Sequence, residues 1–123
     1  MQVHVIICAK NDKTCVTPSS YGFLRGSILY RYFADYFPIR LVKTVDLDPN
    51  KTYLFGSHPH GILCFGAFMA FATDALDFPR LFPGIRPRLL TLKHFHYLPG
   101  IKEMLLSNGC CAASRESIET LLR

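Results

Sequence analysis

Several features that would assign this chain to a class at once are missing from it. No apolar run reaches the roughly 18–20 residues that a membrane-spanning helix needs, and the longest covers residues 61–73. The first nine residues lack the basic start of a signal peptide. There is no aromatic-basic ribonucleoprotein motif, zinc finger or helix-turn-helix pattern, so we expect no nucleic-acid partner. Any membrane association must therefore be interfacial or come from sequence outside these 123 residues, which suffice for one domain.

The cysteines offer no disulfide framework. There are five of them, an odd number, and none forms a C-x-x-C pair. Cys64 lies in the longest apolar run, and Cys110 and Cys111 begin another, so we expect small buried hydrophobic side chains. This pattern indicates reduced thiols and a domain that faces the cytosol.

The composition is apolar and basic. Half of the residues are hydrophobic and 19% are charged, with a mean hydropathy of +0.19, which predicts a large buried core or a membrane-facing surface. The net charge of +5 suits anionic lipid head groups or phosphate-bearing cofactors. Solvated surface charge is the simpler explanation of the two basic clusters, which are Arg25, Arg31, Arg40 and Lys43, and Arg80, Arg86, Arg88 and Lys93.

The hydrophobic pattern predicts alternating strands and helices after residue 20. An amphipathic helix over residues 21–37 is stopped by Pro38. A strand at 53–55 is followed by an apolar helix from Gly61 to about residue 76, and a proline-rich loop over 79–87 leads to a strand that starts at 89 and extends as far as 97. This order is typical of an α/β sheet with parallel crossovers.

The C-terminal part continues the alternation. A helix over 99–107 is closed by Asn108 and Gly109, a strand covers 110–113, and Ser114 caps a last helix. Residues 1–20 form a divergent N-terminal segment, in which residues 1–9 are compatible with a strand. Because three strands leave sheet edges uncovered and the last helix has no stop signal, we expect the domain over 21–123 to be truncated at its C-terminus.

The junction His58-Pro59-His60-Gly61 carries the main chemical prediction. It separates the 53–55 strand from the apolar helix, and histidine is the side chain that exchanges protons near neutral pH. A helix dipole beside the ring would keep it neutral and able to accept a proton. Gly61 and the adjoining backbone amides could stabilise an oxyanion. The motif therefore suits acyl transfer from a thioester to an alcohol, with His60, which adjoins the helix, or His58 as the base.

A second His-x-His pair, His94 and His96, raises a metal hypothesis. On a strand, residues i and i+2 share a face, so two such pairs could supply four nitrogen ligands to zinc. Pro59 disturbs strand geometry at the first pair, and no acidic residue nearby suggests an orienting partner. Polar positions on an exposed strand face explain His94 and His96 more simply, and we expect no metal.

Five ordered motifs give the chain a family resemblance that covers about residues 21–123. It resembles the diacylglycerol acyltransferase 2 family, which includes monoacylglycerol acyltransferases and wax synthases. The spacing from Gly109 to Arg115 is also similar to the second block of glycerolipid acyltransferases, in which the arginine contacts phosphate. The motifs are Tyr36-Phe37-Pro38, the segment 53–62 around the histidines, the Phe-Pro-Gly-Ile-Arg-Pro of 82–87, Ser107-Asn108-Gly109-Cys110, and Ser114-Arg115.

The resemblance implies a function in neutral-lipid synthesis. It implies a partial glycerolipid-acyltransferase-like α/β sheet and acyl-CoA-dependent O-acylation of diacylglycerol, monoacylglycerol or a long-chain alcohol. The site would be cytosol-facing at the endoplasmic reticulum membrane, with His58 and His60 as catalytic residues. Acyl-CoA is a co-substrate and no cofactor is implied. For Arg115, contact with CoA phosphates and a solvated or ion-paired position in the first turn both stay open.

Two alternatives of other classes remain at this point. The family's opening hydrophobic hairpin is not recognisable in residues 1–20, and its later motifs do not follow residue 123. The enzyme suggested by the resemblance would therefore be a truncated form with impaired activity. The first alternative to it is a non-catalytic form that binds lipid or a partner. The third reading is the metal-binding protein that uses both His-x-His pairs.

Overall fold

The computed structural model describes residues 4–10, 24–58 and 64–122, and for 4–10 it describes the backbone. Pro59, His60, Gly61 and the first residues of the predicted helix at 21–37 lie outside these ranges. None of the described helices is long and apolar enough to cross a membrane.

The described strands form one mixed sheet. Its members are β1 (His4–Lys10), β2 (Tyr53–Ser57), β3 (Ile85–Thr91) and β4 (Cys111–Ala112), in the order β2-β1-β3-β4. β1 is antiparallel to both of its neighbours, whereas β3 and β4 are parallel. The three strands predicted after residue 20 therefore do run in one direction, and the architecture is mixed α/β. The prediction of a three-stranded parallel sheet was wrong, because β1 inserts between β2 and β3 in the opposite direction.

Seven short helical segments accompany the sheet in the described ranges. The α-helices are α1 (Ile28–Tyr36), α2 (Phe65–Ala67), α3 (Phe78–Leu81), α4 (Ile101–Ser107) and α5 (Arg115–Leu122). A π-helix over Phe68–Ala72 continues α2, and a 3-10 helix covers Lys93–Tyr97.

The long helix expected from Gly61 to about residue 76 is shorter and wound differently. It begins at Phe65, widens into the π-helix at Phe68 and ends at Ala72. Thr73 is extended, with φ −127° and ψ 166°, and its Oγ1 donates a hydrogen bond to the carbonyl of Met69 at 2.7 Å. The side chain of Thr73 thus takes up a backbone acceptor where the π-helix stops.

The strand predicted from 89 to as far as 97 was displaced towards the N-terminus. β3 starts at Ile85, inside the predicted proline-rich loop, and ends at Thr91. Pro87 is tolerated within the strand, and α3 occupies the first part of the supposed loop. Proline content therefore overstated the irregularity of residues 79–87.

The helix ends near the C-terminus follow the sequence signals. Beyond α4, Gly109 has φ +75°. The Gly109 amide bonds the Leu106 carbonyl at 3.0 Å, and the Cys110 amide bonds the Leu105 carbonyl at 2.9 Å. This is the Schellman pattern that Asn108-Gly109 predicts. Ser114 Oγ accepts from the Ser117 amide at 3.2 Å, which confirms Ser114 as the cap of α5.

The two faces of the sheet bury separate clusters. Leu89 packs with Ala72, Phe78 and Leu105 on one face. Leu90 packs with Cys111 and Leu121 on the other, under α5. Helices therefore cover both faces, and alternate residues of β3 point to different layers.

Arg25 joins three parts of the fold from inside it. Only 2% of this residue is exposed, so its predicted place among solvated surface charges was wrong. Its Nε donates to Asp74 Oδ1 at 3.1 Å, and its other nitrogens donate to the carbonyls of Phe71 at 3.2 Å and Asn108 at 3.0 Å. The Asp74 amide in turn bonds the Arg25 carbonyl at 3.0 Å. A buried guanidinium with this many partners fixes the start of α1 against the ends of the π-helix and α4.

Replacing Arg25 by methionine should destabilise the protein strongly. The substitution strands the two carbonyl acceptors and the Asp74 carboxylate, at a cost of roughly 3 kcal/mol in the free energy of unfolding. Urea denaturation measures this cost. The matched control is Arg31→Met, because the Arg31–Asp77 pair is exposed at 3.5 Å and should be worth less than about 1 kcal/mol. Equal costs for the two variants would contradict this role of Arg25.

Candidate functional site

The carboxyl ends of β2, β3 and β4 meet at one edge of the sheet. His58 follows β2 directly, Thr91 ends β3, and Ser114 and Arg115 follow β4 closely. Gly56 and Leu90 both pair with Val5 of β1, so they lie two strand spacings apart, roughly 10 Å. In open α/β sheets this is the edge at which ligands bind, and the candidate residues after all three strands therefore converge there.

An apolar cavity of about 310 Å³ lies beside this edge, under the face of the sheet that carries Leu89. Its wall comes from α1, α2, the π-helix, β3, the 3-10 helix and α4, and nearly all of the exposed lining is carbon or sulfur. The volume is at the lower end of the range of small-molecule sites. The lining residues are Tyr30, Phe33, Cys64, Phe65, Phe68, Met69, Leu89, Thr91, Phe95, Ile101, Met104 and Leu105.

The cavity has a mouth and a floor, which the exposure of its lining distinguishes. Phe65, Ile101 and Met104 are partly open to solvent, at 45%, 38% and 39%. Met69, Leu89 and Leu105 are buried. The cavity is therefore open on the side of α2 and the exposed face of α4, and closed on the side of Met69, Leu89 and Leu105.

Aromatic side chains extend from the mouth across α1. The Phe33 ring lies 5.1 Å from the Phe65 ring and 4.7 Å from the Phe37 ring, and Phe37 contacts Tyr36 at 4.8 Å, centroid to centroid. Tyr36, Phe37 and Phe65 are exposed. We call these four residues the aromatic rim. It contains the first two residues of the Tyr36-Phe37-Pro38 motif.

Sequence reasoning missed most of this cavity. Its best local signal was the spacing of Phe65, Phe68 and Met69 at i, i+3 and i+4, which marks one helical face. Nothing local could show that Phe95 and Met104 complete the wall, because they come from elements about 30 to 40 residues further along the chain.

The structure locates one of the two predicted catalytic histidines. The imidazole of His58 is exposed, and its Nε2 lies 3.8 Å from the position that a Cβ on Gly56 would occupy. Gly56 lies in register with Leu90, through Val5, so it faces the layer of α5. The His58 ring therefore lies towards the face opposite the cavity.

His60 and Gly61 fall outside the described residues, and their roles stay predictions. The expected helix start at Gly61 was wrong, because Cys64 is the N-cap and Phe65 the first helical residue. The dipole of this helix is therefore not adjacent to His60 in sequence. Cys64, which lies four positions after His60 in the sequence, lines the cavity.

The second histidine pair has a different arrangement from the one expected. His94 and His96 lie in the 3-10 helix rather than on a strand. Residues i and i+2 of a 3-10 helix point about 120° apart, so the shared face required by the zinc hypothesis is absent. Within residues 4–10, 24–58 and 64–122, no group of three or more His, Cys, Asp or Glu side chains could hold a metal ion.

His96 has a structural partner at the cavity wall. Its Nε2 lies 2.9 Å from Thr91 Oγ1, which satisfies the one hydroxyl that ends β3 and leaves the wall apolar. Burial lowers the pKa of His96, with a smaller opposing effect from the Cys111 backbone and a small lowering by Lys102. A neutral ring hydrogen-bonded to Thr91 is therefore the form that the fold favours.

The prediction of buried cysteines is confirmed for Cys110 and Cys111, whereas Cys64 is only partly buried. All three are reduced thiols. Burial raises the pKa of Cys110 to about 12 and also raises the pKa of Cys64. Because the thiolate is the nucleophile, Cys64 is not an activated group despite its place in the cavity wall.

Arg115 is solvated and ion-paired. Its side chain is 91% exposed, and its Nε lies 2.7 Å from Glu119 Oε1 one turn later in α5. This is the arrangement of a surface i, i+4 pair. The described contacts of Arg115 are thus those expected for a solvated, ion-paired residue in the first turn of a helix. Contact of Arg115 with phosphate stays a prediction.

Comparison with known proteins decides the family. The model of the diacylglycerol acyltransferase family matches residues 3–123. The chain belongs to the diacylglycerol acyltransferase family. The resemblance inferred from the motifs is thereby confirmed, and the match includes β1.

Named members of the diacylglycerol acyltransferase family are similar over most of this chain. Diacylglycerol O-acyltransferase 2 of Danio rerio is 50% identical over 110 residues, which are 86% of this chain and 30% of that protein. The Homo sapiens protein of the same name is 48% identical over 110 residues, 86% of this chain and 28% of its own length. Diacylglycerol O-acyltransferase 2A of Umbelopsis ramanniana is 45% identical over 100 residues, 81% and 28% of the two chains.

The chain spans less than a third of the length of these relatives. No solved structure matches it.

The lowered pKa of His96 predicts a loss of stability in mild acid. The unfolded chain, in which histidine titrates near pH 6.5, binds this proton more readily than the folded one. The stabilisation that comes from the neutral His96 ring is complete above about pH 6.5. It is lost as the pH falls through the pKa that His96 has in the folded protein. Urea unfolding midpoints measured between neutral and mildly acidic pH should fall less steeply for His96→Gln. His94→Gln, at the exposed neighbour in the same helix, should retain the steep dependence, and an unchanged slope in His96→Gln would contradict the assignment.

Proposed function

We propose that the chain carries part of the active site of an acyl-CoA-dependent O-acyltransferase that acylates diacylglycerol or monoacylglycerol. The observation that carries the proposal is the apolar cavity, whose wall begins four residues after His60. A fatty acyl chain needs such a carbon-lined space, and the thioester at its head would then lie near the histidine motif. Membership of the family and the names of the relatives support the reaction class. By the same analogy we assign the sheet to the glycerolipid-acyltransferase type.

In this mechanism His60 is the base. Its imidazole takes the proton from the acceptor hydroxyl while the oxygen attacks the thioester carbonyl. The Gly61 amide donates to the oxyanion of the tetrahedral intermediate. Collapse of the intermediate breaks the carbon–sulfur bond, and the leaving CoA sulfur takes the proton back from His60. His60 is preferred to His58 because the His58 ring lies towards the α5 face, away from the cavity. No metal or cofactor is needed to balance these steps.

We further propose that the mouth of the cavity faces a membrane, at the cytosolic side of the endoplasmic reticulum. The aromatic rim adjoins the mouth, and rings of this kind favour the membrane interface. Exposed Arg40 and Lys102 lie close in sequence to the rim and the mouth, and suit anionic head groups. Diacylglycerol is itself dissolved in the bilayer, so an acceptor would reach the cavity without crossing water.

Substitution of His60 should abolish transfer. The test places residues 3–123 of this chain in the Danio rerio relative, instead of the matching segment, and measures triacylglycerol formed from labelled oleoyl-CoA and dioleoylglycerol in microsomes. We expect His60→Ala to lower kcat by at least ~100-fold, because a positioned base contributes about that much or more. His58→Ala should have a smaller effect.

The control for this experiment is His94→Ala, an exposed histidine of the 3-10 helix that should leave turnover unchanged. Turnover by His60→Ala within twofold of the unsubstituted chimera would contradict the assignment of the base. An unsubstituted chimera that binds oleoyl-CoA without transferring the acyl group would favour the lipid-binding alternative.

Membrane binding should depend on the α1 surface beside the mouth. Leu29 and Tyr36 are exposed and lie one turn on either side of Phe33. The double variant Leu29→Glu, Tyr36→Glu should bind vesicles of phosphatidylcholine and phosphatidylserine at least roughly tenfold more weakly. The reason is that two apolar side chains which the bilayer would bury are replaced by charged ones. Sedimentation with vesicles measures this. Leu122→Glu on the exposed side of α5 is the control, and equal weakening by both would contradict the proposed orientation.

A further inference from the structure

The floor of the cavity is formed by side chains of the buried core. Leu89 and Leu105 belong to the core cluster that also contains Phe78 and Ala72. Met69 also lines the cavity and is only 1% exposed, so it lies at the closed end. Its side chain is therefore packed against its neighbours and also closes the cavity.

The backbone at Met69 is held while its side chain stays adaptable. The Met69 carbonyl accepts the 2.7 Å hydrogen bond of buried Thr73, and the residue lies in the π-helix. Isolated π-helical turns often occur at functional sites. Methionine is unbranched and fills irregular space. The Met69 backbone is thus fixed, and its side chain lies at the closed end of the cavity.

We propose that Met69 determines which acyl chain length the protein accepts, by closing the end of the cavity. This proposal rests on the proposed function, in which the acyl chain enters at the mouth with its methyl end leading. The chain end then lies against Met69, and a chain that is too long meets its side chain. Each methylene that gains or loses burial changes affinity about fourfold, which corresponds to about 0.8 kcal/mol.

Two methionines of the chain can report how deeply an acyl chain enters the cavity. Of its three methionines, Met104 lines the mouth and Met69 lines the floor, while Met1 is the first residue. Protein labelled with ¹³C at the methionine methyl groups therefore gives three resonances, which Met69→Leu and Met104→Leu assign. Titration with octanoyl-CoA should shift the Met104 signal alone, and titration with palmitoyl-CoA should shift both.

Affinity should change with the length of the residue at position 69. The ligands are a series of acyl-CoAs that runs from lauroyl-CoA to arachidoyl-CoA. For Met69→Ala, the chain length that binds most tightly should become about two carbons longer. The affinity for the longer chain, relative to the originally preferred one, should rise at least tenfold. Met69→Leu, which conserves volume, should keep the preference of the unsubstituted chain. Met104→Ala at the mouth should change affinity for every chain length by a similar factor.

Thermal unfolding identifies any variant that does not fold, since a buried Met→Ala change costs about 2–5 kcal/mol. Met69→Val then replaces Met69→Ala, with a smaller shift expected in the same direction. If the Met69→Ala or Met69→Val variant binds all acyl-CoAs with an unchanged preference for chain length, the role of Met69 is overturned. The proposed acyl cavity is not affected by that result. Failure of palmitoyl-CoA to shift the Met104 signal would overturn the acyl cavity itself, and with it both proposals.

Discussion

The buried charge of Arg25 is the constraint on which the arrangement of the helices depends. A guanidinium taken out of water is stable only where its donors are satisfied. Here the partners are Asp74 and the carbonyls of Phe71 and Asn108, which lie at the ends of two helices, the π-helix and α4. The entry to α1, the end of the π-helix and the end of α4 are therefore brought to one point. Those same elements carry most of the cavity wall.

This arrangement explains how a chain of short helices holds an open apolar space. Asn108 adds a second link, since its Nδ2 donates to Tyr30 Oη at 2.9 Å and to the Met104 carbonyl at 2.8 Å. Tyr30 of α1 and Met104 of α4 both line the cavity. Polar contacts of Asn108 thus tie α1 to α4, and the cavity lining does not need polar groups of its own to hold these two helices together. The Thr91–His96 bond does the same at the end of β3.

Local chemistry allowed some elements to be predicted from sequence. Asn108-Gly109 and Ser114 act within a few residues, so the end of α4 and the cap of α5 were foreseen. The family was also recognisable, because its motifs are contiguous in the chain. Non-local effects account for the errors. The place of β1 in the sheet depends on strands 40 to 80 residues away, and the burial of Arg25 depends on Asp74 and Asn108. The apolar pattern of the π-helix is also that of the α-helix expected there. The pattern of the 3-10 helix is likewise compatible with the strand expected there, so the sequence alone did not distinguish them.

The central claim is that the carbon-lined cavity beyond the histidine motif holds an acyl chain. Photolabelling with a palmitoyl-CoA analogue that carries a diazirine at the end of its chain, followed by mass spectrometry of the peptides, tests this directly. The account predicts labels on the peptide that contains Met69 and on the peptide that contains Leu89, with protection by unlabelled palmitoyl-CoA. Protectable labelling confined to α5 would contradict it.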